Sequence, residues 1–144
     1  MAKVKAVCIS EKKGEQKHPV DEIFLKIDHG IVGDTHAGNW HRQVSLLAAE
    51  SVEKVQKALD FDLKSGDFAE NILTEGIELF TLPVGTKLQV GQAVGEVTQI
   101  GKECHHGCAI RELAGDCVMP REGIFIKVLT EGRVKAGDEI KVIQ

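Results

Sequence analysis

The chain reads as a mostly β domain, a small closed or partly closed barrel with minor α content and one clear helix. Three observations predict this. Short alternating or β-branched segments recur along the sequence, each bounded by Gly, Pro, Asp or Asn. The 15 glycines, about 10% of 144 residues against an average near ~7%, fall between those segments rather than in one flexible tract. One stretch alone carries helical spacing.

Taken in order, strands are expected at residues 3–9, 22–27, 43–47, 70–74, 87–90, 93–100, 124–129 and 139–143. In the first, alternation places Cys8 on the same face as Val4 and Ala6, as a small buried hydrophobe. The helix is expected over AAESVEKVQKAL, residues 48–59, where Ala48, Val52, Val55 and Leu59 form one apolar stripe. Its Glu50 and Lys54 stand four apart with the acid first, a pair worth only ~0.2–0.5 kcal/mol, so that face reads as solvated. VGTKLQV (84–90) is echoed by AGDEIKV (136–142), a glycine turn directly before an alternating strand in both. The echo favours barrel-like closure, which removes edges that would pair with other chains.

A chain of 144 residues has room for one domain, 1–144. Eighteen Lys and Arg against twenty-two Asp and Glu give a net charge of −4, with no basic run to attract nucleic acid or anionic lipid. The six aromatics, Phe24, Trp40, Phe61, Phe68, Phe80 and Phe125, are scattered and form no base-stacking platform. MAKVKAVCIS lacks the ~7–15-residue apolar core of a secretory signal, and no apolar run nears the ~20 residues of a membrane span. A cytoplasmic protein without nucleic-acid or membrane partners is expected, in which Cys8, Cys104, Cys108 and Cys117 stay reduced as core fillers, ligands or nucleophiles.

The densest chemical cluster is GKECHHGCAIRE (101–112), with Cys104, His105, His106 and Cys108 directly after a strand. Zinc would use thiolate and imidazole ligands, but Cys104 and Cys108 have no second ligand pair of matching spacing; His36 and His41 complete a set only if the fold delivers them. A reactive thiol fits better. A free cysteine with a pKa near ~8.5 is only about 3% thiolate at pH 7, and Lys102, His105, His106 and Arg111 are the nearby groups able to raise that fraction.

A second cluster lies in HGIVGDTHAGNWHRQVSLL (29–47). GDTHAG makes a tight turn that reads equally as an Asx-turn with one exposed histidine or as a pair in which Asp34 orients His36, and Arg42, beside His41, offers a fork matched to phosphate or carboxylate. GDCVMPREGIF (115–125), with Arg121 and Glu122, reads equally as pocket lining or hairpin tip. GDFAENILTEG (66–76) leaves Asp67, Glu70 and Asn71 in the same position.

In their order, GDTHAG, RQVSLLAAES, GDFAENILTEG, LPVGTKLQVG, TQIGKECHHGCAI and GDCVMPREGIF resemble the MOSC domain, named for the C-terminal domain of molybdenum-cofactor sulfurase, in its short stand-alone bacterial form. The resemblance spans about residues 21–142. It implies a β-barrel of the MOSC or pyruvate-kinase barrel type with a reactive cysteine that carries sulfur as a persulfide or ligates molybdenum. That cysteine maps to Cys108 first and Cys104 second. Larger relatives space their two cysteines by two residues, whereas here three intervene.

On this reading the chain handles the molybdenum cofactor (molybdopterin). Asp34, His36, His41, Arg42, Lys102, His105, His106 and Arg121 bind it, and Cys108 or Cys104 meets metal or sulfur. The implied partners are cofactor-biosynthesis or molybdoenzyme proteins and a sulfur donor. Pyridoxal phosphate belongs to the family through a fused domain that is lacking here, so desulfuration is expected elsewhere. Two rival readings are a Cys/His metal-binding module and a non-catalytic domain docking on a cofactor-synthesis enzyme.

Overall fold

The computed structural model describes residues 2–12, 17–57, 62–66, 68–101 and 122–143. Eleven strands and one α-helix are formed among them, in the order β1 (Lys3–Ile9), β2 (His18–Val20), β3 (Glu22–Lys26), β4 (Gly30–Ile31), β5 (Val44–Ala48), α1 (Ala49–Gln56), β6 (Ile72–Glu75), β7 (Lys87–Val90), β8 (Ala93–Ile100), β9 (Ile124–Thr130), β10 (Gly132–Lys135) and β11 (Ile140–Ile143). A 3₁₀ turn, Leu79–Thr81, follows β6. No helix among the described residues is long and apolar enough to cross a membrane.

The strands make an eight-stranded sheet, β11-β7-β8-β9-β5-β6-β1-β2, and a three-stranded sheet, β10-β3-β4. Neighbours are antiparallel except β5 and β6, which run parallel with α1 in the connection between them, as a parallel crossover requires. The two sheets bury one shared core, in which Val7, Leu46, Ile72 and Ile126 of the large sheet meet Ile23, Leu25, Ile31 and Val134 of the small one. The sheets do not close, so the architecture is a partly closed barrel. The two echoed segments pair with each other: β7 and β11 are antiparallel partners, Val90 opposite Ile140.

Alternation fails at one informative place. A bulge in β1 between Val4 and Ala6 inserts an extra residue against β6. Val4 and Val7 both reach the core in consequence, and Cys8, though fully buried, faces the opposite side of the sheet from them. The shared face expected for Val4 and Cys8 is corrected by that bulge.

The helix holds the expected stripe at Val55, but Glu50 and Lys54 serve as more than a solvated pair. Glu50 accepts the backbone N–H of Gly76 at 2.9 Å, at the end of β6. Lys54 Nζ reaches both carboxylate oxygens of Glu122 at 2.8 and 2.9 Å and lies 5.4 Å from the centre of the Phe80 ring. Residues 58–61, the expected end of this helix, lie outside the described residues.

Candidate functional site

Side chains alternate across a strand, so those between core residues face away from the core. On that outer face, strand register and the hydrogen bonds of Asn71, just before β6, place six residues in one row. Gln99 is opposite Phe125 and Phe125 opposite Ser45. Ser45 exchanges backbone and side-chain hydrogen bonds with Asn71, whose C=O accepts the Cys8 N–H at 2.7 Å, and Cys8 is opposite Pro19. Asn71 belongs with the polar face rather than to a strand beginning at residue 70. Its Oδ1 accepts from the backbone N–H of Ser45 at 3.0 Å, and its amide donates to the Cys8 carbonyl at 3.1 Å.

The GDTHAG turn and the segment after it lie over this row. At one end, Asp34 is buried and ties the turn to the end of β1. Its Oδ1 accepts the Ser10 N–H at 3.0 Å and the Lys17 ammonium at 2.8 Å, and its Oδ2 accepts the His36 N–H at 3.2 Å. Burial opposes ionisation of this carboxyl, but the donors Lys17 and Ser10 outweigh it and hold Asp34 below its ordinary value. Asp34 therefore orients the backbone of His36, not its ring; the ring Nδ1 faces Lys17 Nζ at 2.9 Å.

At the other end of the row stand His41 and Arg42. The indole N–H of Trp40 donates to the His36 carbonyl at 2.8 Å, which sets the Trp40 ring beside them. The guanidinium carbon of Arg42 lies over two rings, 4.7 Å from the centre of Trp40 and 5.7 Å from that of Phe125. Its Nε is buried with no hydrogen-bond partner among the described residues. The ring of His41 meets Gln99 Oε1 at 2.9 Å, and Thr98 Oγ1 donates to the His41 carbonyl. Gly30 permits this arrangement: at φ +104°, a Cβ there would lie 2.8 Å from the carbonyl oxygen of Gln43, where the segment re-enters the sheet.

Just beyond Gln99, the Gly101 N–H donates to the Gly123 carbonyl at 2.6 Å. The neighbouring Glu122, expected as pocket lining or hairpin tip, is clamped to α1 by Ser51 Oγ at 2.6 Å and by Lys54. Lys102, Cys104, His105, His106, Cys108, Cys117 and Arg121 lie outside the described residues, as does Asp67. Gly101 and Gly123 are thus joined beside the Arg42 end of the row.

Of the expected site residues, the structure brings Asp34 together with His36, and His41 together with Arg42, along one face. Sequence reasoning missed Lys17, Ser10, Trp40 and Phe125. Only the two aromatics carried a usable signal, as rings near or after motifs containing arginine. Glu70 has a structural part, its carboxylate accepting the N–H groups of Gly66 at 2.8 Å and Phe68 at 3.1 Å. Among the described residues no group of three or more His, Cys, Asp or Glu is placed to hold a metal ion.

A family model described as the MOSC domain matches residues 33–141. A search of curated proteins finds no match. Among solved structures, the YUAD protein from Bacillus subtilis superposes with a TM-score of 0.80 at 20% identity, covering 98% of this chain and 94% of that one. YiiM from Geobacillus stearothermophilus gives 0.75 at 15% identity, covering 100% and 76%. YiiM from Escherichia coli gives 0.69 at 17%, covering 100% and 70%. At these identities the likeness shows the fold.

Proposed function

Because the chain belongs to the MOSC domain family, we propose that it handles the molybdenum cofactor, binding it on the outer face of the large sheet and carrying sulfur as a persulfide on Cys108 or Cys104. The observation that supports this most is Arg42. A guanidinium 4.7 Å from the Trp40 ring centre and 5.7 Å from that of Phe125, with a buried Nε that has no hydrogen-bond partner among the described residues, suits an oxyanion such as the cofactor's phosphate. His36 and His41 add hydrogen-bonding groups along the same face, with Lys102, His105, His106 and Arg121 as further contributors from the flanked segment. A bound molybdenum centre supplies a soft site for thiolate ligation.

For sulfur transfer, the cysteine thiolate attacks the terminal sulfur of a donor persulfide. A new S–S bond forms, the donor's S–S bond breaks, and the donor leaves as a thiolate. The partners are then a cytosolic sulfur-donor protein and a molybdoenzyme or cofactor-biosynthesis protein.

The test is cofactor retention by the pure protein together with intact-mass analysis. Wild-type protein is expected to retain the cofactor and to gain ~32 Da per sulfur on one cysteine, as sulfane-sulfur chemistry requires. Cys108→Ser is expected to abolish one or both without unfolding the chain. Full retention and labelling in the Cys104→Ser/Cys108→Ser double variant would sink the proposal. Arg42→Ala is expected to weaken cofactor affinity by roughly 10- to 100-fold, the worth of a charge-assisted hydrogen bond, while leaving the cysteine mass shift in place.

A further inference from the structure

Lys17 is a buried cation that the proposed chemistry does not use. Its side chain is fully buried, and Nζ makes three contacts: Asp34 Oδ1 at 2.8 Å, His36 Nδ1 at 2.9 Å and Ser10 Oγ at 3.1 Å. An ammonium has three donors and no acceptor, so the three N–H groups match the three atoms and Nδ1 of His36 must accept. Asp34 does not compete for the ring: its Oδ2 is 3.9 Å from Nδ1 and already accepts the His36 backbone N–H.

We propose that Lys17 is a positioning residue that holds the His36 imidazole as the neutral Nε2–H tautomer, so that the ring meets an anionic ligand as a hydrogen-bond donor. The proposal rests on the anion-binding reading above and deepens it: the ligand atom recognised by His36 is an acceptor oxygen of an oxyanion. The His36 side chain is 40% exposed although Nδ1 points inward. Protonating Nδ1 would set an N–H against the ammonium and break the 2.9 Å contact. Among the described residues, Lys17 and Asp34 are the charged groups that face this nitrogen.

Long-range ¹H–¹⁵N NMR of the histidine rings tests this without any cofactor. Wild-type His36 is expected to show an unprotonated Nδ1 and a protonated Nε2, unchanged between about pH 8 and 6, where an ordinary histidine titrates. Lys17→Met is expected to lose the fixed Nε2–H form, Nδ1 then taking up a proton towards Asp34 Oδ2 3.9 Å away, and Lys17→Gln, which keeps an N–H donor, to restore the Nε2–H form. A protonated Nδ1 or an imidazolium at pH 7 in the wild type overturns the proposal, as do His36 signals unaltered by Lys17→Met. Should Lys17→Met fail to fold, the wild-type spectrum still decides. The Lys17→Met/Asp34→Asn pair, which strands no buried charge, then supplies the comparison. The expected tautomer together with no cofactor retention upholds the assignment of Lys17 and sinks only the functional reading.

Discussion

Asp34→Ala is expected to cost about 3–5 kcal/mol of folding free energy, the usual price of leaving a buried charge without its partner. The loss is large because one carboxylate serves three donors. Its removal strands the Lys17 ammonium, which is wholly buried, and the backbone N–H groups of Ser10 and His36. Urea denaturation measures it. The Asp34→Ala/Lys17→Met double variant is expected to lie closer to wild type than Asp34→Ala alone, because no buried ion is then left unpaired. A loss below about 1 kcal/mol, the range of an exposed pair, would contradict the burial of this contact.

The same carboxylate sets an acid limit. Its folded pKa is lowered from the ordinary 3.8, so the unfolded chain binds its proton first as pH falls. The stability contributed by Asp34 is therefore fully present above about pH 4 and is lost as pH falls through the lowered folded value. Asp34→Asn should flatten that part of the stability curve, which a pH series of denaturation midpoints would reveal.

Gly66→Ala is the second large effect. Gly66 adopts φ +92°, and a Cβ there would stand 2.0 Å from the Lys17 carbonyl oxygen and 2.6 Å from its carbon. These are backbone atoms that cannot rotate aside, and the same two residues are joined by the Lys17 N–H donating to the Gly66 carbonyl at 3.0 Å. Left-handed strain of ~1–2 kcal/mol and forced displacement of ~1–3 kcal/mol together give a loss of about 2–5 kcal/mol. Gly85→Ala is the control: its φ is +97°, with nothing within 4 Å of the added carbon, so only the strain applies. Equal losses at the two positions would show that the close approach to Lys17 is of no consequence. Because Gly66→Ala moves Lys17, it is also expected to disturb the His36 ring signals.

Much of the large sheet is legible in the sequence because its strands are long enough for period-two alternation to register, as in KLQV and IFIKVLT. HPV and GI are too short to carry a period, and β2 and β4 pass unseen for that reason; β10, GRVK, alternates as KLQV does but offers a single apolar side chain, Val134, to register it. The bulge in β1 was illegible for another reason: both registers keep apolar residues at alternate positions, and only pairing with β6 chooses between them. In the site, GDTHAG and HRQV announce themselves by composition. Lys17 does not, since lysines are usually solvated and nothing in KKGEQKHPV marks one as buried. The seat of Arg42 likewise needs Phe125, which reaches it only through the pairing of β5 with β9.

The bond between Gly101 and Gly123, with Glu122 bolted to α1, latches the end of β8 to the start of β9 and both to the helix. The sheet thus carries its own fastening at the point where the chain leaves β8 and comes back into β9.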